Sequence, residues 1–347
     1  MDTKALLKRL YGHEVTDFEM ISLPQDASNR RYHRVVPGPD MSPARLMIME
    51  LPDDALASDE VTAGDAPVEL PFLNLQRYMA DAGLPVPEIY LDAVSDGAVL
   101  LEDLGDESFV SRIEKVSAEA MEAWYGAAVD LMVHMHDRMW PVPEGCLAST
   151  RAFDYDLLRW ELDHYREWGA EARNGRVLDT DLRKSLDRVF DDLANEIAAL
   201  PLGFVHRDYQ SRNLMVTGDA PVFQSLTIID FQDALMGPRV YDLVALLNDS
   251  YVDVHKEMQT RIISRYAVAR GIDPVELERE FDLVTIQRKL KDGGRFVFID
   301  QMKGNPKFLP FIETSFRRVR SALERLPGHD DLGAILAKVD PENFGGA

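Results

Sequence analysis

A chain of 347 residues with 46% hydrophobic and 28% charged content has ordinary globular composition, with room for two modest lobes or one large domain. Its formal charge of −22 argues against a general nucleic-acid binder and against docking on anionic lipid; it favours solubility, or attraction of a cationic small molecule. No apolar run reaches the roughly eighteen residues of a membrane span, and Cys146, the sole cysteine, excludes an intrachain disulfide, so a reducing cytoplasm is the expected location.

The N-terminus, M-D-T-K-A-L-L-K-R-L, lacks a long apolar core and reads as an amphipathic helix over 2–11, with Leu6, Leu7 and Leu10 on one face. From Phe18 the pattern changes to F-E-M-I-S-L-P, D-A-S-N-R-R-Y-H-R-V-V and R-L-M-I-M-E-L, three strands of an antiparallel meander. The first turn, Asp26 to Arg31, contains no glycine. Ser28 and Asn29 still offer backbone N–H groups to a phosphate, and Arg30 and Arg31 add charge. An acidic loop over 53–67 precedes a helix over 69–82 that stops at Gly83, with Glu69 read as a solvated first-turn charge. Two more strands follow, P-E-I-Y-L-D-A-V and G-A-V-L-L-E-D-L-G, and a domain boundary is expected near residue 104, dividing the chain into lobes 1–104 and 105–347.

Helical periodicity then dominates. A helix over 117–140 carries His134 and His136, which point to different sides and cannot chelate one metal together. A helix over 153–168 carries Trp160, Tyr165 and Trp168, read as core aromatics with sugar stacking as the alternative. Further helices are expected over 181–200, 254–270, 274–293 and 313–326, the last with a basic face read as solvated surface.

The chemistry concentrates between Phe204 and Leu247. Here H-R-D-Y-Q-S-R-N runs from His206 to Asn213, and the apolar run T-I-I ends in Asp230-Phe231. Protein kinases use this order for a catalytic base, a metal-holding Asn and a metal-holding Asp. Asp208 is thus the expected base, Asn213 and Asp230 the hard oxygen ligands suited to Mg²⁺, and His206 a brace for the loop. Asp242, opening an apolar helix, is expected to accept backbone N–H groups of that loop. No lysine occurs between Lys8 and Lys115, so Met49 or Glu50 stands where a kinase keeps its third-strand lysine. Either arginines and metal neutralise the phosphates, or nucleotide binding is weakened as in a pseudokinase. Gln232 follows Asp-Phe, and no A-P-E activation segment comes after it, which favours a small acceptor over a protein.

Taken together, H-R-D-Y-Q-S-R-N-L-M, I-I-D-F-Q-D-A-x-x-G-P-x-x-Y-D-L and L-L-E-D-L-G resemble the aminoglycoside phosphotransferase and choline kinase superfamily. The D-A-S-N-R-R-Y turn, the lysine-free third strand and Q-R-K-L-K-D-G-G-R-F (Gln287 to Phe296) are similar to its bacterial anomeric N-acetylmuramate and N-acetylglucosamine kinases. The resemblance implies an α+β, bilobal protein-kinase-like fold: a small antiparallel sheet with one helix, then a mostly helical lobe. It implies ATP, bound at the hinge near Glu102 and Leu104, with Mg²⁺, and transfer to a sugar hydroxyl at C1 in cell-wall recycling. Gln210, Arg212, Asp233, Arg288 and Lys291 are the candidate sugar or carboxylate contacts, and no obligate protein partner is implied. An aminoglycoside-type antibiotic phosphotransferase and a non-catalytic ATP-binding protein are the alternatives.

Overall fold

The structure is a computed structural model that describes residues 1–24, 30–52 and 69–345. Helix α1 (Thr3–Tyr11) starts where the Asp2 carboxylate accepts the Ala5 N–H and ends at Gly12 in the left-handed region. Five strands follow, β1 (Phe18–Ser22), β2 (Arg31–Pro37), β3 (Leu46–Glu50), β4 (Ile89–Ala93) and β5 (Ala98–Glu102), in the all-antiparallel order β1-β2-β3-β5-β4. The pleat sends alternate residues to opposite faces. Leu46 and Ile48 meet Leu6 and Leu7 of α1, whereas Met47 and Met49 join the larger core on the other side. Helix α2 (Pro71–Asp81) covers that second face with Phe72, Leu75 and Met79.

The helix begins at Pro71, two residues later than expected, because proline suits the first helical position. Glu69 therefore lies ahead of the helix and is not a solvated first-turn charge. It pairs with Arg77 at 2.6 Å and accepts from Asn74 at 3.0 Å, and the Arg77 guanidinium holds its carboxyl below the usual range.

At the end of β5, Asp103 is buried and forked by Arg34 of β2, with Nε at 2.7 Å and Nη2 at 3.0 Å. The same carboxylate accepts the N–H of Gly105, whose φ of +84° requires glycine. Removing one partner of a buried pair strands the other. Asp103→Ala should therefore cost about 3 kcal/mol, read as a lower urea midpoint at unchanged m-value.

The rest is helical apart from two short ribbons. In chain order come α3 (Phe109–Ile113), α4 (Ala118–Arg138), α5 (Tyr155–His164), α6 (Thr180–Ala198), β6 (Leu202–Val205), β7 (Leu214–Val216), β8 (Leu226–Ile228), β9 (Leu235–Pro238) and α7 (Tyr241–Leu247). Then follow α8 (Lys256–Arg270), α9 (Pro274–Lys303), α10 (Ile312–Arg325), α11 (Asp330–Val339) and α12 (Pro341–Phe344). Strand β6 pairs with β9, and β7 with β8. Helix α5 ends earlier than periodicity predicts, because the chain continues from Tyr165 to Ala172 as a π-helix.

Helix α9 runs for 30 residues and does not stop at Gly293. Glycine costs about 1 kcal/mol inside a helix, but packing demands it here. A Cβ on Gly293 would run into the Phe316 ring, and one on Gly294 would lie 2.8 Å from the carbonyl oxygen of His164. The glycines mark a close helix crossing. The basic stretch of α10 is also less solvated than expected, since Arg318 is buried and donates to the Val252 carbonyl at 2.8 Å.

Candidate active site

The loop 206–213 joins β6 to β7, and buried carboxylates hold it in shape. The N–H groups of His206 and Arg207 donate to the two oxygens of Asp242 at 2.8 and 3.0 Å. Asp242 sits in the first turn of α7 with no exposed surface, and His136 contacts it at 3.0 Å from α4. Farther along, Asp249 accepts the Ser211 N–H at 2.9 Å and the Ser211 hydroxyl. His206 points its Nε2 at the carbonyl of Ile229, 3.0 Å away, tying the loop to the end of β8.

Arg207 is almost fully buried, and its φ of +78° is one of only two positive values among described non-glycine residues. The other is Asp230, at +65°. Each such conformation costs about 1–3 kcal/mol and persists only where surrounding contacts over-determine it. Those contacts are visible for Arg207. Its Nη2 donates to Glu161 at 3.0 Å, Gln287 donates to the same carboxylate at 2.7 Å, and Arg288 donates to the Arg207 carbonyl at 2.8 Å.

The turn imposed at Arg207 brings Asp208 to the surface. Its side chain is 36% exposed, and fully buried Arg288 reaches it from below with Nη2 at 3.2 Å from Oδ1. Asn213 donates Nδ2 to the Asp208 carbonyl at 2.8 Å and to Asp230 at 3.3 Å, so its amide oxygen remains the acceptor end. Gln232 donates to Asp230 at 2.9 Å. Solvent reaches Asp230, but protein crowds round it. Desolvation raises its carboxyl above the ordinary value, the Gln232 amide opposes this, and repulsion from Asp208 and Asp233 adds to it.

From the sheet side, Tyr32 opposes Met49 in register and its hydroxyl lies 3.5 Å from the Met49 sulfur. Burial pushes the Tyr32 hydroxyl up, Arg30 lowers it and Asp230 raises it further, which brings Arg30, Tyr32 and Asp230 into one electrostatic group. Arg31 is not brought there. It sits on the opposite face of β2, 4.0 Å from Glu50, because neighbouring strand residues alternate faces. Ser28 and Asn29 lie outside the described residues.

Of the other candidates, Glu102 donates its N–H to the Glu88 carbonyl at 2.9 Å and accepts the Glu88 N–H on its side chain at 3.2 Å. Leu104, half-buried, follows Asp103 directly. Gln210 belongs to the loop backbone, its N–H bonded to the Asp208 carbonyl at 2.8 Å. The Arg212 guanidinium lies over the Tyr251 ring, 3.5 Å from its centroid, while Asp233 stands 3.5 Å from the Gln232 amide. Lys291 lies one turn beyond Arg288 on α9, 3.6 Å from Asp292. Sequence reasoning missed Glu161, Asp249, His136 and the supporting role of Arg207. Only Arg207 carried a signal, its place inside the H-R-D motif; the others reach the loop through tertiary contacts.

A model of the phosphotransferase enzyme family matches residues 19–278. The chain belongs to that family. Among similar proteins, the N-acetylmuramate/N-acetylglucosamine kinase of Pseudomonas aeruginosa is 31% identical over 94% of this chain and 90% of its own length. That of Neisseria meningitidis is 29% identical over 93% and 91%. The phosphotransferase also shares its fold with choline kinase from Cryptosporidium parvum, with a TM-score of 0.59 at 14% identity, covering 96% of this chain and 98% of the other. The ADP-bound aminoglycoside phosphotransferase APH(2'')-Ib superposes with a TM-score of 0.57 at 14% identity, over 94% and 100% of the two chains. The α+β kinase-like architecture and an enzyme that transfers phosphate are thus established for this phosphotransferase.

Proposed function

We propose that this phosphotransferase is a kinase that moves the γ-phosphate of ATP to the C1 hydroxyl of N-acetylmuramate or N-acetylglucosamine. The observation that carries the reading is the Asp208 carboxylate, open to solvent and steadied by Arg288, beside the Asn213–Asp230 pair. The sugar is taken from the kinases that this chain parallels over nine-tenths of both lengths. Asp208 accepts the proton of the attacking hydroxyl and orients it, a contribution of about 10²–10⁴ in rate.

The donor set suits magnesium. Asn213 has its amide nitrogen engaged, which leaves its oxygen as the ligating end, and Asp230 is held in a crowded group of carboxylates whose repulsion a cation relieves. Among the described residues no cluster of three or more His, Cys, Asp or Glu side chains forms a complete cage. Magnesium bound by Asn213 and Asp230 would offset charge on the β- and γ-phosphate oxygens. Arg30 adds positive charge from the sheet side in place of a third-strand lysine. The base is read as lying at the hinge by Glu102 and Leu104, with the lobe boundary near residue 104. No helix among the described residues is long and apolar enough to cross a membrane, and we read the enzyme as a cytoplasmic one acting without an obligate protein partner.

Incubation with ATP, Mg²⁺ and either amino sugar should give a ³¹P signal of an anomeric phosphate. Methyl glycosides blocked at C1 should not react, and their equal reaction would refute the position of transfer. A product with kanamycin-type amines but not with sugars would favour the antibiotic reading.

The Asp230 carboxyl supplies a second check. Its folded value lies above that of an unfolded chain, so without a cation it contributes stability at low pH that is lost as pH rises through the folded value. Mg²⁺ should accordingly raise the melting temperature more at pH 8 than at pH 5, and Asp230→Asn should flatten that difference.

A further inference from the structure

The face of α9 that carries Arg288 continues beyond the base. Steps of three and four residues lead to Lys291 and then Arg295, which are successive neighbours along one side of a helix. The Arg295 guanidinium lies over the Phe298 ring, 5.1 Å from its centroid. Phe298 meets Trp168 edge-on at 5.1 Å and His164 at 5.4 Å, and His164 stacks on Trp160 at 5.7 Å. Trp160, His164 and Trp168 come from α5 and the π-helix that extends it, Phe298 comes from α9, and π segments occur frequently at functional sites.

The helix that carries the wall reaches the loop through Glu161, the residue after Trp160, whose buried carboxylate holds Arg207. Arg288 lies over the Tyr241 ring, 5.0 Å from its centroid, and Gln287 of α9 donates to Glu161 of α5 at 2.7 Å, so the two helices meet beneath the loop. Core packing accounts for His164 but not for Trp160, which keeps 46% of its surface exposed. An exposed indole on the same aromatic wall as the Arg295 guanidinium matches a ligand with one apolar face and one carboxylate. N-acetylmuramate has both, whereas N-acetylglucosamine lacks the lactyl carboxylate.

We propose that Trp160 carries the apolar face of the acceptor sugar and that Arg295, with Lys291, pairs with the lactyl carboxylate, making this wall the determinant of preference for N-acetylmuramate. The inference rests on the amino-sugar reading above. Loss of one charge-assisted hydrogen bond corresponds to about ten- to a hundred-fold in selectivity.

The test compares kcat/KM for the two sugars in the wild type, Arg295→Gln and Arg295→Lys, together with tryptophan fluorescence titrated with N-acetylmuramate. Arg295→Gln should lower the N-acetylmuramate to N-acetylglucosamine ratio at least ten-fold, with part of it restored by Arg295→Lys. Trp160→Leu should raise KM for both sugars and remove most of the fluorescence change. A ratio unaltered in Arg295→Gln, or a fluorescence change that survives Trp160→Leu, overturns the inference while leaving the kinase reading intact. A wild type that phosphorylates neither sugar overturns the kinase reading, and the inference with it.

Discussion

Asp208→Asn should lower kcat by a factor of at least 100 and as much as about 10⁴, with nucleotide affinity changed less than three-fold. Asparagine is the informative replacement. It keeps an oxygen for the Nη2 of Arg288, 3.2 Å from Oδ1 in the native protein, but it cannot take a proton from the acceptor hydroxyl. Alanine would also leave a fully buried guanidinium with one fewer partner and mix a structural loss with the chemical one. Asp208 hydrogen-bonds to the groups assigned to the cation only through its own main-chain carbonyl, which Asn213 holds at 2.8 Å, and its charge acts on Asp230 only as a secondary repulsion behind burial. Binding and chemistry should therefore separate, which isothermal titration with a non-hydrolysable ATP analogue and steady-state rates would read independently. Equal losses of rate and nucleotide affinity would show that Asp208 organises the site instead of acting as its base.

That separation was legible in part from the chain alone. Asp208, Asn213 and Asp230 lie close in sequence, and their spacing marks the candidate site directly; the five strands and α2 are marked likewise by their alternating and 3.6-residue periods. What holds them was not legible. Arg207 depends on Glu161, which is 46 residues away, and Ser211 on Asp249, 38 residues away. No local pattern marks a carboxylate that will be buried beneath a distant loop. The two arginines of the first turn make the same point. As neighbours they look equivalent, yet the pleat of β2 sends Arg31 towards Glu50 and groups Arg30 with Tyr32 and Asp230. At Gly293-Gly294 the local rule gave the wrong answer: the pair reads as a helix stop, but the neighbours of α9 need the missing side chains. The longer helix that results is what carries Arg295 and Phe298 past the site.

The largest stability effect should come from Asp242→Ala. The carboxylate has no exposed surface and meets three groups, the N–H groups of His206 and Arg207 and the ring of His136. Two backbone donors left buried without an acceptor cost about 1–3 kcal/mol each. A total near 4 kcal/mol is therefore expected, a large share of the roughly 5–15 kcal/mol that keeps a domain folded. Activity should fall further than stability requires. Arg207 holds its φ of +78° because Asp242 pins its N–H while Glu161 and Arg288 hold its side chain and carbonyl. Once the first restraint is gone, the backbone can relax to negative φ and swing Asp208 away from the acceptor. A misplacement of about 1 Å is enough to cost a hundred-fold in rate. Asp242→Asn retains one oxygen for one of the two donors and should fall between wild type and alanine in both melting temperature and kcat. If Asp242→Ala loses stability but keeps kcat within three-fold at a temperature where it is fully folded, the loop geometry is maintained by Glu161 and Arg288 alone.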